Sequence, residues 1–91
     1  MAQASSDATL VTLPAGVDLH ARPAADFVRT AMRFSASVQV AAGEREVDAK
    51  SLLSVLALGA KGGTELRLTA AGEDAEAALD ALSACVATLS D

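Results

Sequence analysis

The single histidine of this 91-residue chain, His20, is the strongest candidate for chemistry. It lies in the segment Asp18-Leu19-His20-Ala21-Arg22-Pro23-Ala24-Ala25, where a loop is predicted to meet a helix. Unpaired backbone N–H groups at such a junction favour an anion, and the guanidinium of Arg22 adds donors that suit phosphate oxygens. An imidazole nitrogen is a nucleophile at neutral pH, and its phosphoryl adduct is reactive enough to be passed on. The segment therefore predicts a site that accepts phosphate and gives it up.

A second segment, from Asp48 to Gly59, joins a serine to an apolar run. Ser51 stands where a helix N-cap belongs, before Leu52-Leu53-Ser54-Val55-Leu56-Ala57-Leu58, and Gly59 is a typical C-terminal stop. A helix of two turns can bury only one face. Either some of these leucines are exposed as a docking patch, or the whole helix is buried in the core. The sequence alone leaves both interpretations open.

Other kinds of active site find little support. The sequence contains no GxxxxGK[ST] phosphate loop, and one histidine with one cysteine, Cys85, cannot form a metal cluster. We therefore expect no cofactor and no metal. The carboxylates are interpreted as solvated surface groups, and Cys85 as a small core residue on a helix. These absences favour a stoichiometric carrier over an enzyme.

Strands and helices alternate along the predicted chain. Apolar residues at every second position predict strands at 9–13, 36–40, 47–49 and 64–70, and Gly43 makes the second and third a hairpin. Helices are predicted from Pro23, at the first helical position, and over 52–58 and 74–89. One apolar face on each element predicts a two-layer α+β sandwich with the helices on one side. The order of strands in the sheet does not follow from periodicity.

Length and composition narrow the class of protein. The 91 residues fit a single domain, and residues 1–8 read as a flexible polar start. A net charge of −5 argues against nucleic acid as a partner. The first residues do not resemble a secretory leader, and no apolar run approaches the ~18 residues that cross a membrane. We expect a cytoplasmic monomer.

These segments resemble the HPr family, the histidine-containing phosphocarriers of the bacterial phosphoenolpyruvate-dependent sugar phosphotransferase system. His20-Ala21-Arg22-Pro23-Ala24 is similar to the family's active-site motif, and Lys50-Ser51-Leu52 with Leu58-Gly59 to its regulatory-serine motif. The resemblance covers roughly residues 10–89. It implies an open-faced β-sandwich of order βαββαβα, a four-stranded antiparallel sheet covered on one side by three helices.

The resemblance also implies partners and residue roles. Enzyme I, charged by phosphoenolpyruvate, would phosphorylate the Nδ1 atom of His20, which would pass the group to IIA domains of sugar permeases. Arg22 would contact the phosphoryl group, and Pro23 would set the start of the helix. Ser51 would be a regulatory position, acted on by a serine kinase or phosphorylase and linked to a transcription regulator. Partner docking would use a patch of leucines and basic residues of the first helix: Leu52, Leu53, Leu56, Arg22, Arg29 and Arg33.

Two positions depart from the family pattern. Asp18 stands two residues before His20, where the family usually has glycine, and the nearest preceding glycine is Gly16. A carboxylate there could favour the protonated imidazole or repel the incoming phosphate. Met32 stands where a lysine is common.

Three other functions stay open at this point. The carrier could serve a nitrogen-regulatory or dihydroxyacetone-kinase branch of phosphotransfer. A regulatory module could use only Ser51 and the leucines to bind a transcription factor, but it would need neither His20 nor Arg22. A small-molecule-binding domain with His20 as a bystander lacks any pocket signal in the sequence.

Overall fold

The chain forms four strands and three helices in the order that the sequence predicts. A computed structural model describes residues 6–90. Its elements are β1 (Ser6–Thr12), α1 (Ala21–Met32), β2 (Ser37–Ala42), β3 (Arg45–Asp48), α2 (Leu52–Leu58), β4 (Glu65–Ala71) and α3 (Ala75–Ala87).

All neighbouring strands of the sheet are antiparallel, and their order is β1-β4-β2-β3. The last strand of the chain, β4, therefore lies between the first two. Leu68 of β4 pairs with Thr9 on one side and with Val40 on the other. This arrangement confirms the predicted four-stranded antiparallel sheet and supplies the strand order that periodicity could not.

The helices cover one face of the sheet. α3 contacts β1 and β4, α2 contacts β3, and α1 packs against α2 and α3. Leu66, Leu68 and Ala70 point into the core, as their alternation predicts, while Glu65 and Arg67 are exposed. The open face carries an ion pair between Arg67 and Glu46 at 4.0 Å. The predicted open-faced α+β sandwich is confirmed. The largest fully buried side chains are Phe27, Leu13, Leu19, Leu66, Leu68, Leu82, Val38, Val40, Val55, Val86 and Pro23.

Most element boundaries differ from the prediction by one to three residues, and the starts of β1 and α1 have a physical explanation. β1 begins at Ser6, so the expectation of a flexible start over 1–8 is wrong for residues 6–8, which pair with 69–71 of β4. The rest of that expectation, over 1–5, lies outside the described residues. α1 begins at Ala21, which places Pro23 third in the helix and not first. Proline is tolerated there because the N–H groups of the first turn have no partner within the helix.

No helix within residues 6–90 is long and apolar enough to cross a membrane.

Candidate functional site

His20 is the N-cap residue of α1, and its side chain is exposed. Its backbone is extended, with φ −145° and ψ 172°, and its side chain caps no N–H group. The His20 carbonyl accepts the N–H of Ala24 at 3.3 Å, and the His20 N–H donates to the carbonyl of Asp18 at 2.9 Å. The main chain of His20 is thus held on both sides, and its imidazole faces solvent. The Nδ1 atom lies 3.4 Å from the same Asp18 carbonyl oxygen.

The first turn of α1 offers backbone N–H groups beside this imidazole. Among residues 6–90, the N–H groups of Ala21 and Arg22 have no hydrogen-bond acceptor, and the first turn carries no acidic residue. Ala21 adopts a positive φ of 48°, the only non-glycine residue in the described chain to do so. This left-handed conformation is unfavourable for an alanine and is tolerated only where the surrounding structure enforces it. The change of backbone direction after His20 is therefore made at Ala21, the first residue of α1.

Arg22 and Pro23 are the second and third residues of α1, and only Arg22 is accessible. Pro23 is fully buried and takes part in the core. The side chain of Arg22 is exposed, and within the described part of the chain it forms no ion pair. Its guanidinium can therefore turn toward an anion bound near His20.

Asp18 has definite partners on the loop that follows α2. Its Oδ1 atom accepts the N–H of Gly62 at 2.9 Å, and its Oδ2 atom lies 3.8 Å from the Nζ atom of Lys61. The hydrogen bond from Gly62, helped by the charge of Lys61, lowers the pKa of the Asp18 carboxyl below its ordinary value. Sequence analysis treated Asp18 only as a departure from a pattern and missed these contacts. The adjacent glycines 62 and 63 were the available signal, since paired glycines mark a turn and glycine permits a close approach of another backbone.

Ser51 is the N-cap of α2, as predicted. Its Oγ atom accepts the N–H of Ser54 at 3.3 Å, and its side chain is half-buried. The predicted stop is confirmed as well, because Gly59 adopts a left-handed φ of 63° and its N–H donates to the carbonyl of Leu56.

The leucines of α2 are divided between core and surface. Val55 and Leu58 are buried, whereas Leu53 is 81% exposed, Leu52 41% and Leu56 37%. We call Leu52, Leu53 and Leu56 the leucine patch. The interpretation that α2 is wholly buried in the core is therefore wrong, since three of its leucines are exposed. Met32 of α1 adds a further apolar side chain to the surface, 63% exposed.

α1 and α2 run antiparallel beside each other. Leu19, just before α1, donates its N–H to the carbonyl of Ala60, just after α2, at 2.8 Å. At the opposite ends, the Nζ atom of Lys50 donates to the carbonyl of Phe34 at 2.6 Å. His20 therefore lies near the C-terminal end of α2, and Ser51 lies near the C-terminal end of α1.

The two remaining arginines of α1 have contacts of their own. Arg29 pairs with Asp26 at 2.6 Å, and the guanidinium of Arg33 lies 5.7 Å from the ring centre of Phe34. Both arginines line an open groove of about 730 Å³ between α1 and α3. Cys85 also lines this groove and is half-buried against the core, close to its predicted place. The arginines thus lie on the α3 side of α1, whereas the leucine patch belongs to α2.

Within the described residues, no three histidine, cysteine, aspartate or glutamate side chains gather closely enough to hold a metal ion. The chemistry available at the junction is that of an exposed imidazole, unpaired backbone N–H groups and one guanidinium.

Comparisons with known proteins agree with this geometry. Residues 8–88 match the family model described as "PTS HPr component phosphorylation site". The chain is 49% identical over 72 residues to the phosphocarrier protein HPr of Haloferax volcanii, which covers 77% of this chain and 81% of that protein. It is 44% identical over 79 residues to a multiphosphoryl transfer protein of Xanthomonas campestris, covering 87% of this chain but only 9% of that protein. The crystal structure of HPr from Bacillus anthracis superposes with a TM-score of 0.85 at 36% identity, covering 90% of this chain and 98% of that one.

Proposed function

This chain belongs to the HPr family, the phosphocarriers of the phosphotransferase system, and on that premise we propose that His20 carries the phosphoryl group. The observation that supports this proposal is the exposed imidazole at the N-cap of α1, beside backbone N–H groups that have no acceptor within residues 6–90. An anion bound at that position gains hydrogen bonds and the favourable end of the helix dipole.

In the proposed transfer, the lone pair of Nδ1 attacks the phosphorus atom held by the donor protein. A P–N bond forms as the bond between phosphorus and the donor atom breaks, and that electron pair stays on the donor atom. The reverse exchange delivers the group to the next protein. Because Nδ1 lies only 3.4 Å from the Asp18 carbonyl oxygen, the ring must turn away from that oxygen to make room for a charged phosphoryl group. Arg22 then contacts the phosphoryl oxygens, and Pro23 fixes the start of the helix behind them.

The proposed partners are enzyme I as donor and IIA domains of sugar permeases as acceptors, met in the cytoplasm. The leucine patch supplies the apolar contact, and Arg22, Arg29 and Arg33 supply positive charge for acidic partner surfaces. The chain acts as a stoichiometric carrier and a monomer. Which sugars or which branch it serves is decided by testing it against each set of partners.

Ser51 is the proposed regulatory position, a target for a serine kinase and phosphorylase whose product is read by a transcription regulator. Its hydroxyl lies at the end of α2 that carries Leu52 and Leu53, so a phosphate there changes the charge of the leucine patch directly.

The experiment that tests the proposal incubates the protein with enzyme I and phosphoenolpyruvate and follows its mass. We expect one adduct of about 80 Da, the mass of a phosphoryl group, labile to acid and stable to base. His20→Ala should form no such adduct while its circular dichroism stays unchanged, because His20 is an exposed residue outside the core. Acid-labile phosphate on the variant, or an unfolded variant, would refute the assignment of His20.

A further inference from the structure

The segment that leads into His20 is packed against the loop that follows α2. Leu19 is fully buried and is bound to the carbonyl of Ala60, and Asp18 binds the N–H of Gly62, 44 residues along the chain. A Cβ atom at Gly62 would lie 2.6 Å from the backbone nitrogen of Gly16, so a side chain there would force the two loops apart. The approach of these loops is therefore close and specific.

Only Leu19 separates Asp18 from His20, so Asp18 links the loop that follows α2 to His20. Its carboxylate accepts the N–H of Gly62 at 2.9 Å, and its carbonyl accepts the N–H of His20 at 2.9 Å. A displacement of the reacting group by about 1 Å can slow a positioned reaction by about a hundredfold. We infer that Asp18 is a positioning residue for phosphoryl transfer, which anchors the backbone of His20 to the loop after α2. The inference rests on the proposed role of His20.

The carboxylate could instead act through its charge, by repelling the incoming phosphate, and substitutions separate the two roles. Asp18→Asn keeps an oxygen that accepts the N–H of Gly62 and removes the charge, whereas Asp18→Ala removes both. Positioning requires the oxygen, and repulsion requires the charge. Lys61→Ala is a control for the ion pair with Asp18, which is long and exposed and so contributes little.

The test measures kcat and KM for each variant as a substrate of enzyme I. We expect Asp18→Ala to lower kcat about tenfold with an unchanged KM, because Asp18 lies outside the leucine patch. Asp18→Asn and Lys61→Ala should stay within about twofold of wild type. Amide hydrogen exchange at Gly62 should become faster in Asp18→Ala and stay slow in the other two variants.

Asp74→Ala is the matched control for the loss of a loop-anchoring carboxylate. Asp74 accepts the N–H groups of Ser35 and Ala36, both at 2.8 Å. These residues follow the C-terminal end of α1, and the length of that helix, about 18 Å, separates them from His20. The Asp74→Ala substitution should lower the thermal stability and leave kcat unchanged. The inference is overturned if Asp74→Ala lowers kcat as much as Asp18→Ala, if Asp18→Asn is equally slow, or if both Asp18 variants outpace wild type. A wild-type protein that takes up no phosphate at all would overturn the proposed function itself.

Discussion

Arg22, two residues after His20, is a cationic side chain that can contact the phosphoryl group proposed to form on His20. It is exposed and forms no ion pair in the described structure. A charge-assisted hydrogen bond contributes roughly 1.5 to 3 kcal/mol, which corresponds to about a tenfold to hundredfold change in rate. We therefore expect Arg22→Ala to slow transfer to and from His20 by this factor without preventing it, measured by rapid-quench kinetics.

Arg45→Ala is the control for Arg22→Ala, because Arg45 is an exposed arginine at the start of β3. It removes the same charge from the protein at a distance from α1. Equal slowing by the two substitutions would assign the effect to net charge, and transfer at the wild-type rate in Arg22→Ala would remove Arg22 from the mechanism.

Individual residues could be predicted from the sequence where their environment is local. The N-cap position of Ser51 and the exposed place of His20 depend on residues within one helical turn, so the pattern of the sequence indicates them. The contact of Asp18 with Gly62 spans 44 residues, and that of Lys50 with Phe34 spans 16. Such contacts exist only after the loops meet, and for this reason residue spacing did not indicate them.

At the scale of elements, α2 joins the proposed regulatory residue to the leucine patch, the proposed docking surface. Ser51→Asp keeps a side-chain oxygen that can accept the N–H of Ser54, and aspartate is a favoured N-cap. The melting temperature should therefore stay equal or rise. The new charge must be desolvated beside Leu52 and Leu53 when a partner binds, and it repels acidic groups on that partner. We expect a higher KM for phosphorylation by enzyme I, with a smaller change in kcat.

Ser54→Asp is a useful comparison for Ser51→Asp, because it places the same charge one turn further along α2. Phosphoserine carries about −1.5 to −2 charges, so the effect of aspartate is a lower bound. Equal KM values for wild type and Ser51→Asp would leave Ser51 as an ordinary helix cap.

Elements with one apolar face were predicted correctly from the sequence. Boundaries that depend on pairing with another strand were predicted less well. Leu66, Leu68 and Ala70 alternate regularly, and β4 lies where they predict it. β1 starts earlier than its apolar residues indicate, because residues 6–8 pair with β4 although Asp7 and Ala8 are exposed. The start of α1 at Ala21 was also missed, because nothing in the sequence indicates that an alanine adopts a positive φ.

For the molecule as a whole, two aspartates join distant segments and have pKa values below the ordinary one. A backbone N–H from Gly62 is the main cause for Asp18, and N–H groups from Ser35 and Ala36 are the cause for Asp74. Below about pH 4 the unfolded chain therefore binds more protons than the folded one. The free energy of unfolding should fall as the pH drops through this range, measured by urea denaturation at several pH values.

In Asp74→Ala the free energy of unfolding should fall less steeply as the pH drops. This variant lacks one of the two aspartates whose lowered pKa causes the fall. Asp80→Ala, which removes an exposed carboxylate of α3 without these hydrogen bonds, should follow the wild-type curve. An identical pH dependence in wild type and Asp74→Ala would contradict the assigned role of the Asp74 hydrogen bonds.

The order of the strands has a consequence for synthesis on the ribosome. β1 is made before any other described element, yet its sole partner in the sheet is β4, which is made after α2. Until residues 65–71 emerge, the nascent chain can form the hairpin of β2 and β3, but the centre of its sheet is vacant. Long-range pairing of this kind delays folding and exposes apolar surface to other molecules. β1 must therefore stay unpaired in the sheet from its own synthesis until β4 has been made.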